Sequence, residues 1–199
     1  MGKVTCGIAV SVDGYAAGPN QGPELPFGEG VGESLHRWMF ERAEENAAEV
    51  AALSSAGAFV MGRNMFGPGR GEWDLDWTGW WGPEPPYHAP VFVLTHHPRE
   101  SVEMAGGTTF HFVTGGVVEA LDRARAAAGD QDVAIAGGAA TVNQYLAAGL
   151  LDELRLHVAP VVLGRGERLF EGVGRTELVP VEVRPTELVT HLRYSVARG

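Results

Sequence analysis

A second cysteine is missing from this sequence. Cys6 is the only one among 199 residues, so no disulfide within the chain can staple the fold, and a reducing, cytoplasmic location is expected. Long apolar runs are missing as well: no stretch of about 20 apolar residues is available to cross a bilayer. The opening Met1-Gly2-Lys3-Val4-Thr5-Cys6 enters a strand pattern directly, without the apolar segment and cleavage site of a secretion signal. Positive charge is scarce. Fifteen Lys and Arg against 25 Asp and Glu give a formal charge of −10, which repels nucleic acids and anionic membranes as partners. Neither Cys-x-x-Cys nor His-x-x-x-His spacing occurs, so no metal site is expected. The dinucleotide fingerprint G-x-G-x-x-G is absent too.

The residues that are present predict one α/β domain over 1–199. Hydrophobic residues make up 45% of the chain, enough for a core at this length. Val4 to Val10 reads as a buried strand closed by the Asp13-Gly14 turn, and residues 16 to 33 as a Gly/Pro-rich loop too long to be idle. From about Leu35 to Ala51 apolar residues recur at helical steps, with Glu41, Glu44, Glu45 and Glu49 between them on what reads as a solvated face. Further strands are predicted over 58–61, 91–95, 109–114, 132–136 and 153–163, helices over 117–128 and 139–148, and a terminal hairpin around 178–183 and 187–197. Four of the five tryptophans fall in a loop over 67–90. This alternation predicts a mostly parallel central sheet with helices on both faces and an antiparallel C-terminal edge. The apolar strand from Leu154 to Leu163 and the hairpin offer an edge that a second copy would cover, so a homodimer is expected.

An acidic protein binds a polyanion only where backbone N–H groups, a helix start or a few cations outweigh its overall field. Gly137-Gly138, between a strand and a helix, gives a ligand close access to backbone and to a helix N-terminus, with Thr141 adding a hydroxyl. The same glycines equally suit a tight turn. Gly62-Arg63-Asn64 repeats the junction with a cation, or with an ordinary surface arginine. Val93-Leu94-Thr95-His96-His97 delivers a hydroxyl and two imidazoles to the carboxyl edge of the sheet, the usual ligand side of an open α/β sheet.

In order along the chain, Ser11-Val12-Asp13-Gly14-Tyr15-Ala16, Val60-Met61-Gly62-Arg63-Asn64-Met65-Phe66, Pro90-Val91-Phe92-Val93-Leu94-Thr95 and Ile135-Ala136-Gly137-Gly138-Ala139-Ala140-Thr141 resemble the dihydrofolate reductase superfamily. Within it, Gln144 to Leu154 and Ala159-Pro160-Val161-Val162-Leu163-Gly164 are most similar to bacterial stand-alone relatives of the reductase domain of riboflavin-biosynthesis enzymes. The resemblance implies a dihydrofolate-reductase-like fold and NADPH as cofactor. It places the pyrophosphate at Gly137, Gly138, Ala139, Ala140 and Thr141. The adenosine-side phosphates fall at Gly62, Arg63, Asn64 and Met65, and the 2′-phosphate near Thr95 and His96. Classical members often carry Ser-Arg at the last position, so Thr95-His96 weakens the charge that selects NADPH over NADH.

Hydride transfer to a C=N bond also needs a proton. The resemblance implies Asp13 and Glu153 as its donors, although Asp13 also suits the Asp-Gly turn and Glu153 a turn cap. Trp38, Trp80 and Trp81 are candidates to stack on a flat heterocyclic substrate, or are core filler. The implied activity is reduction of dihydrofolate or a related pterin. The alternatives are reduction of 5-amino-6-(5-phosphoribosylamino)uracil in riboflavin synthesis, for which Arg37, Arg42, Arg165 and Arg168 offer charge, and a non-catalytic NADPH-binding protein.

Overall fold

The computed structural model describes residues 2–197; residues 1, 198 and 199 of the expected domain lie outside the described residues. The chain begins with β1 (Val4–Ser11) and β2 (Tyr15–Ala17), followed by two short helices, α1 (Arg37–Phe40) and α2 (Ala47–Ala52). Next come β3 (Ala58–Gly62), α3 (Arg63–Phe66), β4 (Pro90–Leu94), β5 (Val102–Glu103) and β6 (Thr109–Val113). The second half holds α4 (Gly116–Ala128), β7 (Val133–Gly137), α5 (Ala139–Ala147), β8 (Glu153–Ala159), β9 (Glu167–Arg168), β10 (Leu178–Pro185) and β11 (Thr190–Val196).

One nine-stranded sheet in the order β10-β11-β8-β1-β7-β3-β4-β6-β5 carries the fold. The six strands from β8 to β6 run parallel, and β11, β10 and β5 close the two ends antiparallel. Helices α4 and α5 cover one face. Their buried Ala120, Leu121, Ala124, Val142, Tyr145 and Leu146 pack against Val4, Cys6, Val60 and Ile135 of the central strands, which read as apolar runs because they are covered on both sides. The opposite face is covered by different means. Phe59, Met61, Val91, Val93 and Phe110 meet the aromatic loop through Phe66, Trp73, Trp77 and Trp81, while α1 and α2 lie over β1 and β8 through Trp38 and Leu53.

Two expected elements are corrected. The helix drawn from Leu35 to Ala51 is broken between Phe40 and Ala47. Asn46 is fully buried at the break, and its side-chain amide donates to the carbonyls of Trp38 and Arg42 (3.2 and 2.9 Å), giving the backbone a partner other than its own ladder. The strand drawn to Leu163 stops at Ala159, where Pro160 brings no N–H for a ladder. That strand is also interior, between β1 and β11, so only β10 of the proposed dimer surface is an edge.

Candidate active site

Strand β7 ends in Gly137, at φ +103°, and Gly138 begins α5. A side chain is disfavoured at the first position by backbone angle. At the second, an added Cβ would meet nothing within 4 Å. The N–H groups of Thr141 and Val142 turn back to the Gly138 carbonyl, which leaves those of Ala139 and Ala140 without an intrahelical acceptor. The neighbouring junction at the end of β3 is locked to this one: a Cβ on Gly62 would collide with Thr141 Oγ1, so glycine there lets the two strand ends approach.

These junctions open into a cavity of about 950 Å³ on the face away from α4 and α5. Gly62, Arg63, Asn64 and Met65 line it from one junction, and Gly137, Gly138, Ala139, Ala140 and Thr141 from the other. Thr95 and His96 border a smaller adjoining pocket of about 410 Å³, which shares Gly62, Arg63, Asn64 and Thr141 with the larger one. The structure therefore places all eleven cofactor candidates on these two neighbouring pockets, nine on the larger and Thr95 and His96 on the smaller. Arg63 lies over the Trp73 ring at 3.8 Å and donates to the carbonyls of Gly71 and Glu72. Neutral carbonyls orient its charge without cancelling it. Arg70 and His97 border the smaller pocket as well. The Thr95 hydroxyl accepts from the His97 N–H at 3.1 Å, and His96 is exposed.

The expected proton donors do not join this space. Asp13 Oδ1 accepts from Ser11 Oγ (2.7 Å) and the Leu163 N–H (3.0 Å), and Oδ2 from the Gly164 N–H (2.7 Å). The Ser11 hydroxyl, with the two backbone donors, pulls its carboxyl down to about 2. It is a clasp joining the loops after β1 and β8, and it has no proton to give near neutral pH. Glu153 starts β8 opposite Thr5, at the amino end of the parallel strands, and ion-pairs with Arg155 (2.6 Å) and Lys3 (3.3 Å). Burial pulls that carboxyl upward, but Arg155 and Lys3 outweigh it and leave it below its ordinary value. Replacement of Asp13 by Asn is therefore expected to lower the melting temperature and to leave the pH profile of any turnover in place. Thermal unfolding together with a pH–rate profile checks both.

Trp38 lines the cavity wall but is 1% exposed, its indole N–H spent on the Leu35 carbonyl at 3.1 Å. Trp81 stacks on Phe110 and meets Tyr87 edge-on, while Trp80 touches Trp77 edge-on. Both border the cavity. Residues not singled out in the sequence also border it: Glu49 and His36 from the broken helix, Arg155 and His157 from β8, and Arg184 and His191 from the hairpin. Burial pushes His157 down to about 3 and His36 to about 4. Among the described residues no group of three or more His, Cys, Asp or Glu is arranged to hold a metal, and no helix is long and apolar enough to cross a membrane.

The profile of the family described as the RibD C-terminal domain matches residues 2–192. The chain belongs to the RibD C-terminal domain family. Similar structures include a putative riboflavin biosynthesis protein from Shewanella sp. PV-4, 23% identical with a TM-score of 0.67, covering 98% of this chain and 99% of that one. RibD from Acinetobacter baumannii is 15% identical with a TM-score of 0.60, and covers 100% of this chain but 59% of its own. Dihydrofolate reductase from Enterococcus faecalis, complexed with NADP(H) and RAB-propyl, is 17% identical with a TM-score of 0.56, covering 98% and 97%. At these identities the likeness establishes a dihydrofolate-reductase-like fold for this RibD C-terminal domain. A curated relative, the uncharacterized protein YyaP of Bacillus subtilis, is 36% identical over 59 residues, and the match spans 31% of its length.

Proposed function

We propose that this RibD C-terminal domain is an oxidoreductase that binds NADPH and passes hydride to a flat pterin or aminopyrimidine. One observation carries the reading: two strand-to-helix junctions, one with free helix N–H groups and one with the Arg63 guanidinium held over Trp73, face a single cavity of about 950 Å³. The donor set fits a pyrophosphate and a further phosphate. Bound there, NADPH would supply the hydride. The chain's own groups hold it: Ala139 and Ala140 N–H groups on the pyrophosphate, Arg63 on the adenosine-side phosphate, and Trp80 and Trp81 on the wall of the substrate space. With Asp13 and Glu153 engaged elsewhere, the proton reaches the substrate from water.

NADPH oxidation by the purified protein with dihydrofolate and with 5-amino-6-(5-phosphoribosylamino)uracil tests the reading. Turnover of one is expected. Cofactor binding with no turnover of either, across a broader panel of pterins and pyrimidines, would favour the non-catalytic alternative. Arg63→Met is expected to weaken NADPH and NADH binding alike, by about 10-fold or more, since a lost charge-assisted contact costs about 1.5–3 kcal/mol. Paired titrations of the two nucleotides check it.

A homodimer belongs to the same proposal. The edge strand β10 leaves Val179, Val181 and Val183 half or more exposed, and a second copy would cover them. Light scattering is expected to give twice the chain mass, and Val183→Glu to halve it.

A further inference from the structure

A chain of polar groups, buried at Asn46, His191 and His157 and half-buried at Glu49 and Arg184, lies under the part of the cavity formed by β1, β8 and β11. Glu49 holds Arg184 at 2.7 Å, and the Arg184 guanidinium donates to Asn46 Oδ1 at 2.9 Å. The same oxygen lies 2.9 Å from His191 Nε2, and His191 Nδ1 lies 2.7 Å from His157 Nδ1. Trp38 packs over both rings, with centroids 4.7 and 5.1 Å away.

Proton positions follow by elimination. Arg184 only donates, and the Asn46 NH₂ group is spent on the carbonyls of Trp38 and Arg42, so the oxygen of Asn46 faces Arg184 and His191. His191 Nε2 must then carry the hydrogen. Burial keeps both rings neutral, which leaves His191 Nδ1 as an acceptor and makes His157 Nδ1 the donor between the rings. His157 Nε2 is left as a bare lone pair with no hydrogen-bond partner among the described residues. It borders the cavity beside Gly7, where an added Cβ would lie 3.5 Å from it and 3.1 Å from Leu53 Cδ2. Glycine at position 7 thus keeps that lone pair reachable.

The charges around it select further. Arg155 is matched by Glu153, Arg184 by Glu49 and Arg193 by Glu182, so none of these three cations stands free for a phosphate. Strand β8 lies two strand spacings from β7, roughly 10 Å, which is within reach of a bicyclic ring extending from the Gly137-Gly138 side.

Resting on the reductase reading, we infer that His157 Nε2 is the acceptor that binds a ring N–H of an uncharged flat heterocycle, with His191, Asn46 and Arg184 as positioning residues that fix its tautomer. This end of the site takes the bare ring of the substrate and not a phosphorylated arm.

Lumazine, which presents two ring N–H groups, and 1,3-dimethyllumazine, which presents none, are the probes, titrated by fluorescence against the full chain. Lumazine is expected to bind about 10-fold or more tightly than its dimethyl analogue. His157→Phe should abolish that difference, and His157→Gln, which keeps an acceptor, should restore it. Long-range ¹H–¹⁵N spectra of the imidazoles are expected to show hydrogen on Nδ1 of His157 and on Nε2 of His191. Equal binding of the two probes, no lumazine binding, a difference that survives His157→Phe, or hydrogen on His157 Nε2 would overturn the inference. Titration of NADPH into the same proteins separates the two claims. Lumazine discrimination that depends on His157, in a protein that binds no NADPH, upholds this site and removes the reductase reading.

Discussion

Replacement of Gly138 by valine is expected to leave the fold intact and to weaken NADPH binding at least about 100-fold, close to 2.7 kcal/mol. Both halves follow from local geometry. Gly138 has φ −69° and ψ −169°, which any residue adopts, and its Cβ direction is empty to 4 Å. A Cβ there meets no protein atom within 4 Å, so the stability change is expected to stay within about 0.5 kcal/mol, as for other uncrowded positions. The valine methyls instead occupy the space through which a phosphate approaches the Ala139 and Ala140 N–H groups. Gly137→Ala makes the contrasting control: at φ +103° a Cβ costs about 1–2 kcal/mol, so stability falls along with binding. Calorimetric titration beside thermal unfolding reads the two variants apart. Parental NADPH affinity in Gly138→Val would remove the glycine junction from the cofactor site.

The two strand-to-helix junctions were legible because their signals are local. A strand, two glycines and a helix lie within 15 residues of chain from Val133 to Ala147, and each carries its own cue in period, break or cap. Gly62 was legible for the same reason, although its close approach to Thr141 joins two segments that lie far apart in sequence. The floor of the cavity gave no such signal. His157 and His191 meet only because β11 pairs antiparallel with β8 in a register that sets them opposite each other, and register across a crossover is not written in either strand alone. Asn46 misled for a related reason. Its neighbours keep helical spacing, and only its burial against the hairpin shows why the helix breaks and why Glu49 turns inward to Arg184. Asp13 and Glu153 were drawn toward catalysis by the superfamily pattern, while the loop clasp that holds Asp13 and the ion pairs of Glu153 with Lys3 and Arg155 depend on tertiary contacts.

The neutral histidines under the cavity should make the protein acid-labile in a window that belongs to them. In the unfolded chain a histidine takes up its proton near pH 6.5, whereas burial holds folded His157 down to about 3 and His36 to about 4, and pushes His191 in the same direction. Below pH 6.5 the unfolded state therefore binds protons that the folded state refuses, and stability falls as pH falls; above 6.5 neither state binds them and stability is flat. A histidine that stays neutral in the folded state, as His157 does down to about 3, costs about 1.4 kcal/mol per pH unit well below 6.5. Between pH 6.5 and 4.5 the loss due to His157 alone comes to about 2 kcal/mol, with further loss from His191 and His36. Carboxylates with depressed values act in the same sense but in a lower window. Asp13, drawn to about 2, contributes stability that is present above its unfolded value and lost only as the pH drops below about 4. Urea midpoints at pH 7.5, 6.5, 5.5 and 4.5 are expected to be level over the first pair and to drop steeply over the last two. His157→Gln, which cannot titrate, should be less stable than the parent at pH 7.5 and should show a shallower fall by about 2 kcal/mol. An identical fall in parent and variant would mean that folded His157 takes up its proton in the same pH range as the unfolded chain, so that burial does not hold its ring neutral below pH 6.5.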